Sequence, residues 1–376
     1  MDPFLPDDTK LDAIRDLLPS LGSGIRLDVT VAGPFPAETD RAIRQSDEHQ
    51  LRVGRGGPDR AEDLVQRGDE ARSVVAAVLA ASPDRMVLAP GRIAALSAVI
   101  VAGRVPADGC IAVIGELTAE LDAAVGAVAG AHGLRVVRDP STVPHGSSLA
   151  VAAHVDPVTG RVHDPRPLAA QAHATGAALV LDMGWSAGAI PVDAPSSGAD
   201  VVLVDAHRWL LGPEGVTALW VAEASRIETV RALVDEAPRS QLLGLARSVG
   251  WLLMYVSLPW AFERSEALAT RLRGALASIG GVAIEPASRG FATTLPFSVA
   301  AWSATDLAAE LARRVHAHVG VDESRDLVLA GVGAWLRESE IDRFADAVAE
   351  IAAHTPETLP RRPLLTVLAP APWDER

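Results

Sequence analysis

Short apolar runs alternate with helical patterns along much of this 376-residue chain. Apolar runs of this length, each closed by a charged or turn residue, are typical of buried strands. The segments between them carry apolar residues at the spacing of an amphipathic helix. The predicted strands are residues 86–89, 110–114, 134–137, 149–155, 178–181, 201–204 and 216–221. This alternation predicts an α/β fold with a mainly parallel sheet flanked by helices.

The chain after residue 235 follows a different pattern. An apolar segment at residues 241–258 predicts one long helix between two domains, and shorter helical and strand patterns follow it up to residue 351. We therefore predict a large α/β domain over residues 26–235. Residues 1–25 are predicted to form an N-terminal arm, which joins residues 236–376 in a smaller α+β unit.

Composition and charge restrict the kind of partner. The formal net charge of −14 argues against a nucleic acid, because phosphate binding needs a concentrated basic surface. No apolar run is long enough to span a bilayer, and no signal segment follows Met1. We therefore expect a cytoplasmic protein without a membrane partner. The single cysteine, Cys110, lies within an apolar run and is predicted to be a core residue.

Polar side chains follow two neighbouring predicted strands at the point where each strand ends. The first strand is closed by Asp182, and the second by Asp205, with His207 and Arg208 directly after it. A Gly-Pro-Glu-Gly loop at residues 212–215 comes next. An open parallel sheet binds its ligand at the carboxyl ends of its strands. The sequence therefore predicts a functional site at this edge of the sheet.

This stretch resembles the class V aminotransferases of PLP fold type I, a family that includes cysteine desulfurases, isopenicillin N epimerases and the carbon–sulfur lyase of ergothioneine biosynthesis. Asp182, His207, Trp209 and the loop at residues 212–215 carry the resemblance. It implies a PLP fold type I architecture, in which a large domain with a mainly parallel sheet is joined to a smaller α+β C-terminal domain. It also implies a dimer with active sites at the subunit boundary, and a pyridine-nitrogen partner at Asp182.

The chain departs from the family at the position of the Schiff-base lysine, which is Arg208. Lys10 is the only lysine in the sequence, so the other 33 basic residues are arginines. A guanidinium group stays protonated and is a poor nucleophile, and it therefore cannot form the imine. We predict that the protein works without an internal aldimine and needs no cofactor, PLP included.

Other positions of the family's cofactor site have also changed. Asp205 stands where a hydroxyl group to the cofactor phosphate is expected, and its carboxylate would repel that phosphate. The stacking group expected after residues 110–114 is missing. The remaining substitutions are Ile93 at a phosphate-binding hydroxyl, Pro157 at an asparagine, Trp185 at a residue that contacts the cofactor oxygen, and Leu329 at the arginine for the substrate carboxylate.

Five polar side chains gather at the predicted edge: His154, Asp156, Asp182, Asp205 and His207. Residues two apart in an extended segment point to the same side, so the pairs at 154 and 156 and at 205 and 207 are expected to converge. Such groups could act as general acids and bases, or could bind a divalent metal. In the structural alternative Asp205 pairs with Arg208 or Arg92, and His154 is a satisfied core histidine.

We predict an enzyme that acts on a small polar metabolite by acid–base chemistry in the vacated cofactor pocket. One alternative is a non-catalytic subunit that forms a heterodimer with a PLP-dependent paralogue, in place of a homodimer. Another is a desulfurase-like or carbon–sulfur lyase-like protein that binds PLP without an aldimine. The catalytic candidates are Asp182, Asp205, His207 and Arg208, and the substrate-binding candidates are Arg92, His154, Asp156 and Trp185.

Overall fold

The computed structural model describes residues 7–57, 60–138, 142–234, 237–285 and 290–360. The strands are β1 (Ile25–Leu27), β2 (Met86–Ala89), β3 (Cys110–Ile114), β4 (Arg135–Arg138), β5 (Leu149–Ala153), β6 (Ala178–Asp182), β7 (Val201–Asp205), β8 (Thr217–Val221), β9 (Val282–Ala283), β10 (Thr294–Val299), β11 (Ala317–Asp322) and β12 (Leu327–Gly331). The helices are α1 (Asp7–Asp16), α2 (Ala37–Val53), α3 (Arg60–Val78), α4 (Arg92–Ala102), α5 (Ala119–His132), α6 (Pro165–Ala174), α7 (Ala224–Leu233), α8 (Arg239–Trp251), α9 (Leu258–Ala277), α10 (Ala304–Val315) and α11 (Glu338–Ala352).

Seven strands form the larger sheet, in the order β2, β8, β7, β6, β5, β3, β4. All of them are parallel except β8, which runs antiparallel to both of its neighbours. Each of the seven apolar runs predicted as strands lies in this sheet. The predicted α/β fold with a mainly parallel sheet is therefore confirmed.

Both faces of the larger sheet are covered, which explains why its strands are apolar along most of their length, apart from the edge strand β4. Every residue of β3 and β7 is buried, and Cys110 is a core residue as predicted. Side chains alternate between two apolar clusters: Leu181 belongs to one, and Val180 to the other, which also contains residues of α4 and α5. This alternation decides which residues at the strand ends face α4 and α5.

Five strands form a second sheet, in the order β1, β11, β12, β10, β9. Strand β1 joins it from the N-terminal part of the chain and pairs in parallel with β11, while the other pairs are antiparallel. Strand β11 was not predicted, because it has no continuous apolar run: His318, Gly320 and Asp322 interrupt it, and only three of its six residues are buried. The predicted domain boundary at residue 235 lies outside the described residues, as does most of the C-terminal tail, and the division into two domains stays a prediction.

The long helix predicted at residues 241–258 is confirmed to within two residues at each end, because α8 continues without interruption into a π-helical turn at Leu252–Val256. Ser257 then separates this helix from α9. The break follows from Pro259, which cannot continue a helix from the preceding turn, and Ser257 takes a positive φ of 69° there. No single described helix is long and apolar enough to cross a membrane; the pair Arg239–Val256 and α9 meets that test together but bends by 81°.

Candidate active site

Asp182 and Asp205 are the last residues of two neighbouring parallel strands, β6 and β7. Two residues earlier, Val180 and Leu203 face the apolar cluster on the side of α4 and α5, so both carboxyl groups point to that side as well. Both aspartates are buried, with exposed fractions of 5% and 4%. The two strands thus bring two buried acids together at the carboxyl edge of the sheet.

Arg92 lies between these two acids at the start of α4. Its Nε donates to Asp205 Oδ1 at 3.1 Å, and its Nη2 donates to Asp205 Oδ2. A Cβ atom added at Gly184 would lie 3.0 Å from Asp182 Oδ1, 3.4 Å from Asp205 Oδ2 and 3.7 Å from Arg92 Nη2, so the three groups meet at this glycine. The Gly184 backbone N–H also donates to Asp182 Oδ1 at 2.9 Å. The two-point contact pairs the guanidinium of Arg92 with the carboxyl group of Asp205.

Arg208 completes the network from the turn after β7. Its side chain is only 3% exposed, and its Nε lies 3.4 Å from Asp205 Oδ2. Its Nη2 lies 3.5 Å from Oε1 of Glu120, whose side chain is 59% exposed. In the described part of the chain, Nε and Nη1 of Arg208 have no hydrogen-bond partner. Arg208 is therefore a buried cation with hydrogen-bond donors left over.

Two residues near Arg208 and Asp182 in the sequence also have a buried side-chain nitrogen without a hydrogen-bond partner in the described chain. Nδ1 of His207 and Nε1 of Trp185 find no hydrogen-bond partner among the residues that the structure describes. Burial lowers the pKa of His207, and the cations Arg208 and Arg92 lower it further, against the opposing effect of Asp205. His207 is therefore neutral at pH 7 and has a free ring nitrogen.

Burial raises the pKa of Asp182, and the negative charge of Asp205 raises it further. Arg92 opposes this, but the direction of the shift remains upward. Asp182 therefore holds its proton to a higher pH than an exposed aspartate does.

The pKa shift of Asp182 predicts that Asp182→Asn raises the melting temperature at neutral pH. An aspartate whose folded pKa is raised loses stability as pH rises from its ordinary value of 3.8 through the folded value. The difference in melting temperature between variant and wild type should therefore vanish below pH 3.8 and grow above it. Calorimetry from pH 3 to pH 8 measures the melting temperatures of both proteins. A melting temperature of Asp182→Asn below that of wild type at pH 7 would contradict the raised pKa of Asp182.

His154 and Asp156 do not join this network. Nδ1 of His154 is hydrogen-bonded to Ser186 Oγ at 2.8 Å, which matches the structural alternative of a satisfied histidine. Asp156 accepts the backbone N–H groups of Val158 and Thr159 at 2.9 and 2.8 Å. Burial opposes ionisation of Asp156, but hydrogen bonds from His163 and this turn bring its pKa down to about 2. These two side chains stabilise local structure.

The described residues provide no set of ligands for a divalent metal. Within the described ranges, no group of three or more His, Cys, Asp or Glu side chains is placed to hold an ion. The reason is visible in the pairing: Asp205 is bound to Arg92, and His154 to Ser186. The described residues therefore give no support to a metal site at this edge of the sheet.

Trp185 fills space beside the site with apolar surface. Its indole is 5% exposed and shares a cluster with Val155, Ala292 and Leu329. Leu329 lies in β12, so this cluster joins segments that follow β5 and β6 of the larger sheet to a strand of the second sheet. Trp185 and Leu329, which stand at two substituted positions of the family site, are thus brought together by the fold.

Two partners of the network escaped the sequence analysis. Thr217 Oγ1 donates to Asp205 Oδ1 at 3.3 Å from the adjacent strand β8, and Glu120 reaches Arg208 from the first turn of α5. An acidic residue in a first helical turn is common for electrostatic reasons, so Glu120 gave no functional signal. The pairing of Thr217 with Asp205 follows from the register of β7 and β8.

Comparison with known proteins identifies relatives of this fold. Residues 34–231, just over half of the chain, match the family model described as aminotransferase class-V. The kynureninase of Pseudomonas fluorescens is 35% identical over 94 residues, which are 24% of this chain and 23% of that protein. The match thus spans about a quarter of the length of this curated relative.

Solved structures resemble the chain over most of its length. A cysteine desulfurase of Escherichia coli, CsdA, has a TM-score of 0.75 at 20% identity, covering 90% of this chain and 97% of that one. A C-DES mutant with glycine covalently linked to the PLP cofactor has a TM-score of 0.79 at 15% identity, covering 89% and 98%. These likenesses confirm the predicted PLP fold type I architecture.

The prediction that the protein needs no cofactor is wrong. The family model, the kynureninases and the PLP-bearing structural neighbours all point to PLP rather than to none. The substitution of the lysine by Arg208 excludes a covalent bond to the cofactor. It does not exclude noncovalent binding of the cofactor.

The side chains of this chain do not fit a covalently bound PLP. Arg208, at the lysine position, is buried and lies in ion-pair range of Asp205 and Glu120. Asp182, at the position of the pyridine-nitrogen partner, already has the guanidinium of Arg92 beside it. No reaction step through an imine at residue 208 is possible, because a guanidinium does not form one.

Proposed function

The chain belongs to the class V aminotransferase family, and we propose that it is an enzyme that binds a small anionic metabolite at Arg208 and acts by acid–base chemistry without an internal aldimine. The observation that carries this proposal is the buried Nη1 of Arg208, which has no hydrogen-bond partner in the described residues, together with Nε, which lies 3.4 Å from Asp205 Oδ2 without forming a hydrogen bond to it. A buried donor without an acceptor costs about 1 to 3 kcal/mol. A ligand with acceptor oxygens would remove that cost.

The charges around the site favour an anion. Arg92 and Arg208 bring two buried positive charges, and Asp205 is the buried carboxylate that they share. Asp182 supplies less negative charge than an ordinary aspartate, because its pKa is raised. Glu120 is exposed, and water screens its charge. An anion bound to Arg208 would bring the buried charges closer to balance.

Acid–base groups border this anion site. His207 is neutral at pH 7 with a free Nδ1, which suits a general base, and it directly precedes Arg208. Asp182 retains its proton to higher pH than usual, which suits a general acid. Their pKa shifts in opposite directions support separate roles for the two residues.

The proposal predicts that Arg208→Met weakens phosphate binding by about tenfold or more, because a charged hydrogen bond contributes about 1.5 to 3 kcal/mol. Inorganic phosphate is titrated at constant ionic strength, and the melting temperature is followed. Arg166→Met is the matched control, since Arg166 pairs with Asp164 on the exposed surface. Equal phosphate binding by Arg208→Met and wild type, or no binding by wild type, would overturn the proposal.

A second titration uses PLP, followed by borohydride reduction and mass spectrometry. We expect PLP to compete with phosphate, and no reduced adduct to form within residues 178–221, which contain no lysine. PLP that binds equally well to Arg208→Met would place the cofactor away from this residue. A homodimer, or a heterodimer with a PLP-dependent paralogue, stays a prediction that sedimentation of the protein alone and with such a relative distinguishes.

A further inference from the structure

A cavity of about 790 Å³ lies between α9 and residues 290–293, away from the Asp182 network. Its walls include Val162 and Ala292, which also pack in the apolar cluster of Trp185. That cluster is therefore a shared wall between the cavity and the candidate active site. Ligand pockets for small molecules typically have volumes of about 300 to 1,000 Å³, so the cavity is of suitable size.

Arg273 of α9 lines this cavity and is only 3% exposed. Its Nη1 donates to the backbone oxygen of Glu285 at 3.0 Å, whereas its Nη2 has no hydrogen-bond partner in the described chain. The exposed Glu285 is the acidic residue that acts on its charge. Burial lowers the pKa of Arg273, which records the cost of holding this cation away from water. Within the part of the chain that the structure describes, Arg273 thus has no buried acidic partner of the kind that a buried arginine normally has.

A second polar atom on the same wall is also unsatisfied. Thr293 is 1% exposed, and its Oγ1 has no hydrogen-bond partner among residues 7–57, 60–138, 142–234, 237–285 and 290–360. Thr293 lines the cavity together with Arg273. Two independent buried donors without acceptors therefore border one cavity.

The rest of the lining is aromatic and apolar. The ring of Phe291 lies 4.1 Å from the guanidinium carbon of Arg273, and Phe262 lines the cavity from α9. Glu266, also in the lining, is exposed. The lining therefore combines a buried cation and a buried hydroxyl group with aromatic and apolar surface that suits an apolar ring or chain.

We propose that this cavity binds a small carboxylic acid with an apolar or aromatic body. Its carboxylate accepts hydrogen bonds from Arg273 Nη2 and Thr293 Oγ1, and its body lies against Phe291 and Phe262. A guanidinium group matches a carboxylate in shape and charge, and the pairing is stronger away from water. This site does not depend on the function proposed for Arg208.

The test uses benzoate as the probe, with benzamide as its neutral analogue and sodium chloride at equal ionic strength. We expect benzoate, and not benzamide, to raise the melting temperature of the wild-type protein. Arg273→Met should weaken benzoate binding by about tenfold or more, by the value of a charged hydrogen bond. Arg271→Met is the control on the same helix, because Arg271 is exposed and pairs with Asp342. It should bind benzoate as wild type does.

Two further variants keep the outcome decisive. Thr293→Val removes a hydroxyl that has no partner in the described residues, so it should fold normally and bind benzoate about threefold to tenfold more weakly. If Arg273→Met does not fold, benzoate binding by Thr293→Val still tests the proposal. Arg208→Met should keep wild-type benzoate binding, which separates this cavity from the candidate active site. No benzoate effect on wild type, or unchanged binding in Thr293→Val, would overturn the inference.

Discussion

Replacing Arg92 with methionine is expected to lower the free energy of unfolding by about 3 to 5 kcal/mol, the usual result of removing one partner of a buried ion pair. Arg92 binds both carboxylate oxygens of Asp205 and lies beside Asp182. Without it, Arg208 Nε at 3.4 Å and Thr217 at 3.3 Å are the remaining partners that the described structure gives Asp205. Urea unfolding at pH 7 measures the difference.

The double variant Arg92→Met with Asp205→Asn separates charge from packing. It removes the uncompensated carboxylate, and we expect it to recover a substantial part of the loss. Arg166→Met serves as the surface control, because solvent screens its pair with Asp164 and the midpoint should hardly move. If Arg92→Met unfolds at the same urea concentration as this control, the buried network does not stabilise the fold.

We expect His154 to contribute to the decrease in the free energy of unfolding as the pH falls below 6.5. Burial lowers its pKa from 6.5 to about 4, with a further contribution from His163. A histidine whose folded pKa is lowered supplies stability that is present above its unfolded pKa and is lost as pH falls through the folded value. The wild-type protein should therefore lose about 3 kcal/mol between pH 6.5 and pH 4 through this one residue, at 1.36 kcal/mol per pKa unit.

His154→Gln tests this assignment, since glutamine carries no charge at either pH and can still bond to Ser186. We expect the variant to lose about 3 kcal/mol less than wild type over this pH range. Denaturant unfolding at half-unit pH steps provides the comparison, and His145→Gln, at an exposed position, controls for the loss of any histidine. Parallel curves for His154→Gln and wild type would show that His154 titrates normally.

The large sheet could be predicted from sequence because its strands are buried on both faces. An apolar run closed by a polar residue leaves little choice of conformation, and all seven runs lie in the larger sheet. Strand β11 lacked that signal, since its partly buried residues alternate with polar ones. The helix predicted up to residue 258 ends at Val256, because the backbone takes a positive φ at Ser257, although the apolar composition continues across it.

The sequence predicted which residues form the candidate site, but it did not predict which of them form ion pairs and hydrogen bonds with one another. Asp182, Asp205 and Arg208 follow from strand ends and from the family resemblance. Their hydrogen bonding and charge pairing depend on Arg92, which is 113 residues from Asp205 in the chain. The cofactor prediction failed at the same step, because the loss of a lysine excludes an imine and does not by itself exclude the cofactor.

The sequence by itself determined that no imine can form at residue 208, because the chemistry of a guanidinium does not depend on its surroundings. It also determined the order of strands and helices, because that order depends on local periodicity. Only the tertiary structure decided that Arg208 and Arg273 are buried with donors that the described chain leaves free. Burial and pairing depend on which distant segments pack together, and the cost of an unpaired buried group exists only once that packing has excluded water.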